Sequence, residues 1–415
     1  MAEDGAGQTD RAGSAGNRLP AGIWVLGMVS LFTDLSSELV HSLLPVFMVG
    51  TLGASTILVG IVEGIAEATA SIVKIFSGAL SDHLGRRKLL TVFGYGLAAL
   101  SKPLFAVAPT IGWVFTARFV DRIGKGIRGA PRDALIADLT PARLRGAAFG
   151  LRQSLDTVGA FLGPLAAVGL MALQADDIRA VFWFAVIPAL VAVVILVGGL
   201  REPVPSGAIE SRPPPISLRE IGRLPTAFWG VVAIGTGLAL ARFSEAFLVL
   251  RADTVGLPLT FVPLVMVVMS AVYALSAYPA GVLSDRVGRD GILAVGLIVL
   301  IVADLMLAAA QGPLIALIGV GLWGLHMGLT QGILATLVAD TAPKSLRGTA
   351  FGLFNLIGGT MMFGASLLAG VLWHVWGATA PFWSGAGLTG LVLLAWSGNR
   401  RRLRAGAGRA EMDGS

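Results

Sequence analysis

Residues 78–88 read G-A-L-S-D-H-L-G-R-R-K, and residues 281–291 read G-V-L-S-D-R-V-G-R-D-G. A second pair of matching blocks follows each of these: A-D-L-T-P-A-R-L-R-G-A-A-F-G at 137–150 and A-D-T-A-P-K-S-L-R-G-T-A-F-G at 339–352. Both pairs are offset by about two hundred residues. Four blocks repeated in the same order indicate that the chain consists of two related halves.

The chain around these blocks is strongly apolar. Its 415 residues are 55% hydrophobic and only 13% charged, with a mean hydropathy of +0.79, whereas soluble domains contain roughly 25% charged residues. A net charge of +6 could indicate a nucleic-acid-binding protein. We exclude nucleic acid as a partner, because the Lys and Arg residues lie between apolar runs and form no basic domain. The composition predicts an all-α integral membrane protein.

Twelve runs have about the 20 mostly apolar residues that a membrane span needs. They lie near 22–50, 55–80, 89–108, 111–137, 146–172, 178–200, 227–250, 259–282, 291–310, 313–340, 347–373 and 378–397. We interpret them as two pseudo-symmetric six-helix bundles, at 21–200 and 226–398. A Pro-rich cytoplasmic linker at 201–225 joins the bundles, and the tails are a disordered one at 1–20 and a basic one at 399–415.

The distribution of Lys and Arg between the loops predicts the orientation. With the N-terminus inside, the inside loops contain most of the basic residues, and the outside turns contain little beyond Arg179 and Arg251. Both termini are therefore expected to be cytoplasmic, in a bacterial-type inner membrane.

The fourth predicted span, at 111–137, is unusual because charged residues run along it. These residues are Arg118, Asp121, Arg122, Lys125, Arg128, Arg132 and Asp133. Each ionised side chain at the bilayer centre costs roughly 2.5–3.5 kcal/mol on insertion scales, so hydropathy alone would reject the span. We keep it because its removal would invert every later loop. Helical spacing places most of the cations on one side and Phe119 on the opposite, lipid-facing side.

The D-x-x-G-R turns after spans two and eight resemble the signature loop of the major facilitator superfamily. The resemblance covers residues 22–397 and implies two six-helix bundles that rock around a central site. It also implies that the loop's acidic and basic residues clamp neighbouring helices while the cytoplasmic side is closed. His83 and Asp290 depart from the family pattern. The gating-loop residues are Gly78, Asp82, Gly85 and Arg86 in the first copy and Gly281, Asp285, Gly288 and Arg289 in the second.

Span five contains G-A-F-L-G-P at 159–164, which resembles a motif of exporters that exchange a solute for protons. Ala167 and Val168 stand where that motif usually has glycines. Gly159 and Gly163 form a G-x-x-x-G face for close helix packing, and Pro164 loosens the helix.

Ionisable residues inside a membrane are candidates for function. Asp34, Glu38 and His41 lie on one stripe of span one. The fold that the resemblance implies has a cavity lined by spans one, four, seven and ten, so this stripe should face it. Burial disfavours an ionised carboxylate and a nearby Arg favours it, so a carboxyl group there can gain and lose a proton. Asp34 and Glu38 are therefore candidates for proton coupling, and Asp121, spaced to pair with Lys125, is a third.

The cations of span four support two interpretations. Arg118, Arg122 and Lys125 can bind a carboxylate or phosphate group of a solute. The resemblance also makes Arg118 the family's membrane-embedded arginine, which in proton-coupled members is thought to tune a proton-carrying acid. Alternatively, acids of neighbouring spans neutralise these cations in an internal network; these acids are Asp34, Glu63, Glu67 and Asp156. Further candidates for the cavity wall are His41, Trp323 and His326.

The sequence lacks the motifs that several kinds of chemistry require. It has no cysteine, no phosphate-binding G-x-x-x-x-G-K-[ST] loop and only four scattered histidines, so we expect no enzyme activity, ATP, cofactor or metal. We therefore predict a secondary transporter, most simply a monomeric, proton-coupled exporter of a small organic compound. The alternatives are a carrier for anionic solutes, such as organic acids, phosphorylated compounds or siderophores, and a membrane sensor or scaffold that does not transport.

Overall fold

Twelve long helical segments make up the structure, a computed structural model that describes residues 19–84, 86–201, 221–343 and 346–412. No strand occurs among these residues. We number the helices in chain order: α1 (Ala21–Thr51), α2 (Thr56–Leu84), α3 (Arg87–Val107), α4 (Ile111–Leu139), α5 (Arg145–Leu173), α6 (Ile178–Gly199), α7 (Thr226–Thr254), α8 (Leu264–Val287), α9 (Arg289–Ala309), α10 (Pro313–Thr341), α11 (Arg347–Trp376) and α12 (Ala380–Met412).

Ten of these helices are long and apolar enough to cross a membrane. The two others are α4, which is charged, and α12, which continues to Met412 beyond its predicted end near 397. The predicted fourth span is nevertheless confirmed as a helix, and it packs along α2 and α3. Many large apolar side chains on the outside of the bundle are exposed, among them Phe76, Leu100 and Leu275. A surface of this kind suits lipid and not water.

Three helices are interrupted in ways that the hydrophobic pattern does not predict; the break in α6 is the single residue Ala185. The α-helical part of α1 ends at His41, and α1 continues through a short turn with Pro45 into a π-helical turn at Phe47–Thr51. Helix α7 consists of Thr226–Ala241 and Ala246–Thr254, with the break at 242–245. In this break the amide of Ser244 donates to the hydroxyl of Ser366 on α11, which satisfies a backbone group that the helix leaves free.

Glycines allow two helix pairs to approach closely. A Cβ atom at Gly159 of α5 would collide with the carbonyl oxygen of Leu31 on α1, and one at Gly163 would lie 2.7 Å from that of Leu35. Likewise, a Cβ atom at Gly60 of α2 would collide with the carbonyl oxygen of Ser366 on α11. The first contact joins two helices among the first six, and the second joins the first six helices to the last six.

The two ends of the helix array differ. We call one of them the basic end; it contains the described turn residues at 86, 140–144, 288 and 342–343. At the opposite end the first and last six helices are in contact: the Thr260 hydroxyl donates to the Asp176 carboxylate over 2.7 Å, and the Thr56 hydroxyl donates to the Gly370 carbonyl over 3.1 Å. The opposite end is therefore closed in this conformation.

Substitution of Gly159 by Val tests the α1–α5 contact. We expect a loss of stability of about 1–3 kcal/mol or more, because the new side chain meets backbone that cannot rotate away. Gly169→Val is the matched control on the same helix, where a Cβ atom meets nothing within 4 Å. Thermal unfolding of the purified protein in detergent measures both variants. Equal melting temperatures for the two would show that α1 and α5 are not in close contact.

Candidate functional site

Arg118 of α4 lies at the centre of a buried charge cluster. Its Nη2 donates to Glu63 Oε2 of α2 over 2.6 Å, and both side chains are almost fully buried. His41 of α1 extends the cluster, since its Nε2 lies 3.4 Å from Glu63 and its Nδ1 lies 3.4 Å from Glu38. Arg118 is thus neutralised by a neighbouring helix, as the internal-network interpretation expects.

A second buried ion pair involves Lys102, which the sequence analysis overlooked. The Lys102 ammonium of α3 donates to Asp121 over 2.8 Å and to the Ser37 hydroxyl over 3.1 Å. The predicted pairing of Asp121 with Lys125 is wrong, because Lys102 occupies that side of Asp121 and Lys125 is exposed. The sequence does contain a signal for this residue, because a lone lysine within the third apolar run must find a buried partner.

The remaining cations of α4 have different surroundings. Arg122 pairs with Glu67 over 3.0 Å and lies 3.7 Å from Asp121. Arg128 lies over the ring of Tyr95, 4.6 Å from its centre, in a cation–π contact. Lys125 forms no ion pair with any residue that the structure describes.

A cavity of about 810 Å³ extends from Asp34, within α1, to Gly78 and Gly348 near the basic end. Among the described residues, its charged lining comes from the first six helices, with five cations and three acids: Lys74, Lys125, Arg128, Arg132, Arg152, Asp34, Glu67 and Asp156. Helix α11 lines the other side with small, apolar and amide side chains, which include Phe351, Phe354, Asn355 and Met362. Such a volume is within the range of small-molecule sites, about 300–1,000 Å³.

Two of the cavity's acids lie together. The carboxyl groups of Asp34 on α1 and Asp156 on α5 are within hydrogen-bonding reach of each other, and Lys125 and Arg128 are within electrostatic range. The Gly159 and Gly163 contact brings α5 close enough to α1 for this arrangement. Pro164 follows within α5 and is buried. Because like charges repel, two adjacent carboxylates readily share one proton.

The last six helices contribute less charge than the first six. Trp323 is fully buried against Phe243, with ring centres 5.3 Å apart, and His326 Nδ1 lies 2.8 Å from the Gly296 carbonyl oxygen. Neither side chain lines the cavity, so the prediction that Trp323 and His326 form part of its wall is wrong for this conformation. The same holds for the expectation that spans seven and ten line it, since α2 and α11 take their places. Arg242 and Glu245 are half-buried in the α7 break.

The signature turns lie at the basic end, where each forms an ion pair within its own set of helices. Arg87, next to Arg86, pairs with Asp138, and Arg289 pairs with Asp340. Each pair therefore joins the two repeated sequence blocks of one half and links α3 to α4 or α9 to α10. Gly288 has φ +94°, which favours glycine, Gly78 lines the cavity, and Arg86 and Gly281 are exposed. Gly85 and the side chains of Asp82 and Asp285 lie outside the described residues.

Comparison with known proteins gives consistent results. The model of the Major Facilitator Superfamily matches residues 26–365 and 246–412. An uncharacterized MFS-type transporter of Methanocaldococcus jannaschii is 31% identical over 373 residues, which cover 86% of this chain and 89% of that protein. The multidrug resistance protein MdtH of Yersinia enterocolitica is 31% identical over 157 residues, 37% of this chain and 38% of that protein. A bacterial homolog of the human lysosomal transporter Spinster, solved inward-facing, has a similar fold with a TM-score of 0.77 at 16% identity, over 91% of this chain and 96% of that one.

The Lys102–Asp121 pair allows a direct test of the buried network. Lys102→Met leaves Asp121 without its closest cation, and removal of one partner from a buried pair costs about 3–5 kcal/mol. Lys102→Met combined with Asp121→Asn should regain much of that loss, because no unpaired charge is left. Lys74→Met, at an exposed lysine of the cavity wall, is the control and should unfold like the parent. The comparison uses thermal unfolding, and a fully stable Lys102→Met protein would contradict the pairing.

Proposed function

This chain belongs to the Major Facilitator Superfamily, and we propose that it is a proton-coupled exporter of a small organic compound. The first and last six helices are the two bodies that rock around the cavity, and one chain suffices for transport. The observation that carries the proposal is the Asp34–Asp156 pair within a cavity whose described lining extends to the basic end, whereas the first and last six helices are in contact at the opposite end.

Among the carboxyl groups of the first six helices, the Asp34–Asp156 pair is best suited to carry a proton. Asp121 is held by Lys102 over 2.8 Å, and Glu63 is held by Arg118 over 2.6 Å. Protonation of either acid would leave a buried cation without its partner. The Asp34–Asp156 pair lines the cavity, and its closest cation is more distant: Arg152, on the same helix as Asp156, lies 3.7 Å from it. Lys125 and Arg128 are also close enough to favour the release of the pair's proton.

The acid pair also suggests how export could be coupled. A cationic solute, or a neutral one that donates hydrogen bonds to the pair, favours its ionised form and so displaces the proton. Solute and proton would then occupy the cavity alternately, which gives exchange. The partial exporter motif around Gly159, Gly163 and Pro164 and the similarity to a multidrug resistance protein support this direction.

The charge of the loops supports the proposed orientation. The basic end carries most of the loop Lys and Arg, so we place it, with both chain termini, on the cytoplasmic side of a bacterial-type inner membrane. The cavity then opens to the cytoplasm, and the Thr260–Asp176 contact closes the outer side. An exporter loads its solute in such a conformation.

A carrier for anionic solutes is the second candidate, and Lys125 favours it. This lysine is exposed in the cavity and has no ion pair among the described residues. A carboxylate or phosphate bound to Lys125 would neutralise the cation that favours the ionised form of the Asp34–Asp156 pair. The pair would then take up a proton together with the solute. The two candidates therefore predict opposite coupling: exchange for a neutral or cationic solute and joint movement for an anionic one.

Coupling is tested in proteoliposomes with an imposed pH gradient and a panel of cationic, neutral and anionic compounds. Asp34→Asn and Asp156→Asn should each abolish gradient-driven transport but preserve solute exchange without a gradient, because the neutral amide cannot carry the proton. Asp133→Asn, which changes a partly exposed acid paired with Arg132, should behave like the parent. Full gradient-driven flux in both Asp34→Asn and Asp156→Asn would refute this assignment.

Lys125→Gln separates the two substrate classes. If the solute is an anion, its apparent affinity should fall about tenfold or more, since a hydrogen bond to a charged group contributes about 1.5–3 kcal/mol. The melting temperature should stay at the parent value, because Lys125 is exposed and unpaired among the described residues. Arg122→Gln should instead lower stability through loss of the Glu67 pair. An equal effect of Lys125→Gln on cationic and anionic compounds would exclude Lys125 as an anion site.

A further inference from the structure

Asp304 is a buried acid in the second half that the proposed transport site does not use. It lies on α9 and is fully buried (0% exposed). Neither of its carboxyl oxygens has a hydrogen-bond partner among the described residues. Most buried polar atoms in proteins do have such a partner, so an exception of this kind calls for an explanation.

In the part of the chain that the structure describes, no cation pairs with Asp304 to neutralise it. Arg251 of α7 donates to the carbonyl oxygens of Leu307, Ala308 and Ala310 at the end of α9. His326 of α10 lies against the Gly296 carbonyl, two turns away along α9. Among the described residues, Asp304 forms no ion pair with Arg242 of α7 or Arg286 of α8. The tyrosines of α8, Tyr273 and Tyr278, are not cations, and residues 380–398 of α12 contain no titratable side chain.

A metal cation does not fit this position either. No group of three or more His, Cys, Asp or Glu that could hold a metal occurs among the described residues. Both the Asp304 carboxyl group and the carbonyl oxygen of Ala241 lie next to Gly385 of α12. A Cβ atom built at Gly385 would lie 2.6 Å from Asp304 Oδ2 and 3.2 Å from the Ala241 oxygen, which is therefore the backbone oxygen near the carboxyl group. Hard cations take six or more oxygens, and this arrangement offers far fewer.

An isolated ionised carboxylate in an apolar interior is so unfavourable that the group is neutralised instead. We propose that Asp304 is a second proton-binding site, located among the last six helices and apart from the cavity, and that it holds its proton in this conformation. The proton is its ligand, because the proton alone neutralises the carboxyl group without further oxygen atoms.

The position of Asp304 connects it to a part of the molecule that can move. Ala241 is the last residue of the first α7 segment, and the break at 242–245 follows directly. Arg242, the next residue, is half-buried and within electrostatic range of Glu245 and of Glu67 on α2. When the two halves change their relative position, a shift at this break can bring Arg242 or water to Asp304. Release of the proton would then be linked to the movement of α7.

The role of this proton in transport rests on the proposed coupling, but its presence can be tested without transport. Infrared spectra of the purified protein at neutral pH show a carbonyl stretch for each protonated carboxyl group. We expect one such band to be lost in Asp304→Asn and retained in Asp253→Asn, which changes an exposed acid of α7. The neutral amide mimics a protonated acid, so the melting temperature should change by less than about 2 °C.

Two further measurements keep the proposal falsifiable. If Asp304→Asn does not fold, Asp304→Glu should shift the same band without removing it. If the spectrum of the parent minus that of Asp304→Asn contains no band of a protonated carboxyl group, the proposal is overturned. It would also be overturned if sodium chloride, compared with choline chloride, stabilised the parent but not Asp304→Asn, since the ligand would then be a metal cation. Neither result depends on whether Asp34 and Asp156 couple transport to protons.

Discussion

The rest of the structure depends on one constraint, of which the ion pair between Arg118 and Glu63 is the clearest example: a charge inside a lipid-embedded bundle needs a partner. Helix α4 carries several cations, so it must lie where α2 supplies acids for them and where α3 supplies Lys102 as the counter-ion of Asp121. This requirement fixes the packing of the first six helices. It also determines which charges are free for function, because paired groups cannot easily release a partner.

The duplicated sequence therefore produces two unlike halves. In both halves an arginine of the turn binds the same aspartate of the second repeated block, as in Arg87–Asp138 and Arg289–Asp340. The two arginines are not at equivalent positions, since Arg289 corresponds to Arg86 in the repeat. The charged cavity wall, however, belongs to the first half, whereas α11 of the second half contributes small and apolar groups. A cavity with one charged and one apolar wall suits an amphiphilic organic solute. In such a cavity the proposed proton carrier, the Asp34–Asp156 pair, would lie close enough to a bound solute for the two to affect each other through Lys125.

Much of the fold could be predicted from the sequence, because span length, loop charge and repeated blocks are local features. The α4 helix was predicted in spite of its charges, since its omission would have reversed the later loops. The partners of those charges could not be predicted. Lys102 has no periodic neighbour on α3 that marks it, the α7 break at 242–245 contains no proline, and Trp323 and His326 turn into packed interior instead of the cavity. These properties depend on how helices meet, which spacing along one helix does not determine.

Site-specific labelling tests the central claim, that the inner side of α4 lines a cavity open at the basic end. The chain has no cysteine, so single cysteines can replace Lys125 and, on the lipid-facing side of α4, Phe119. In sealed vesicles of known orientation, a membrane-impermeant thiol reagent should label the cysteine at position 125 from the basic end and leave the one at position 119 unlabelled from both ends. Equal labelling of both positions, or labelling of position 125 from the opposite end alone, would contradict this arrangement.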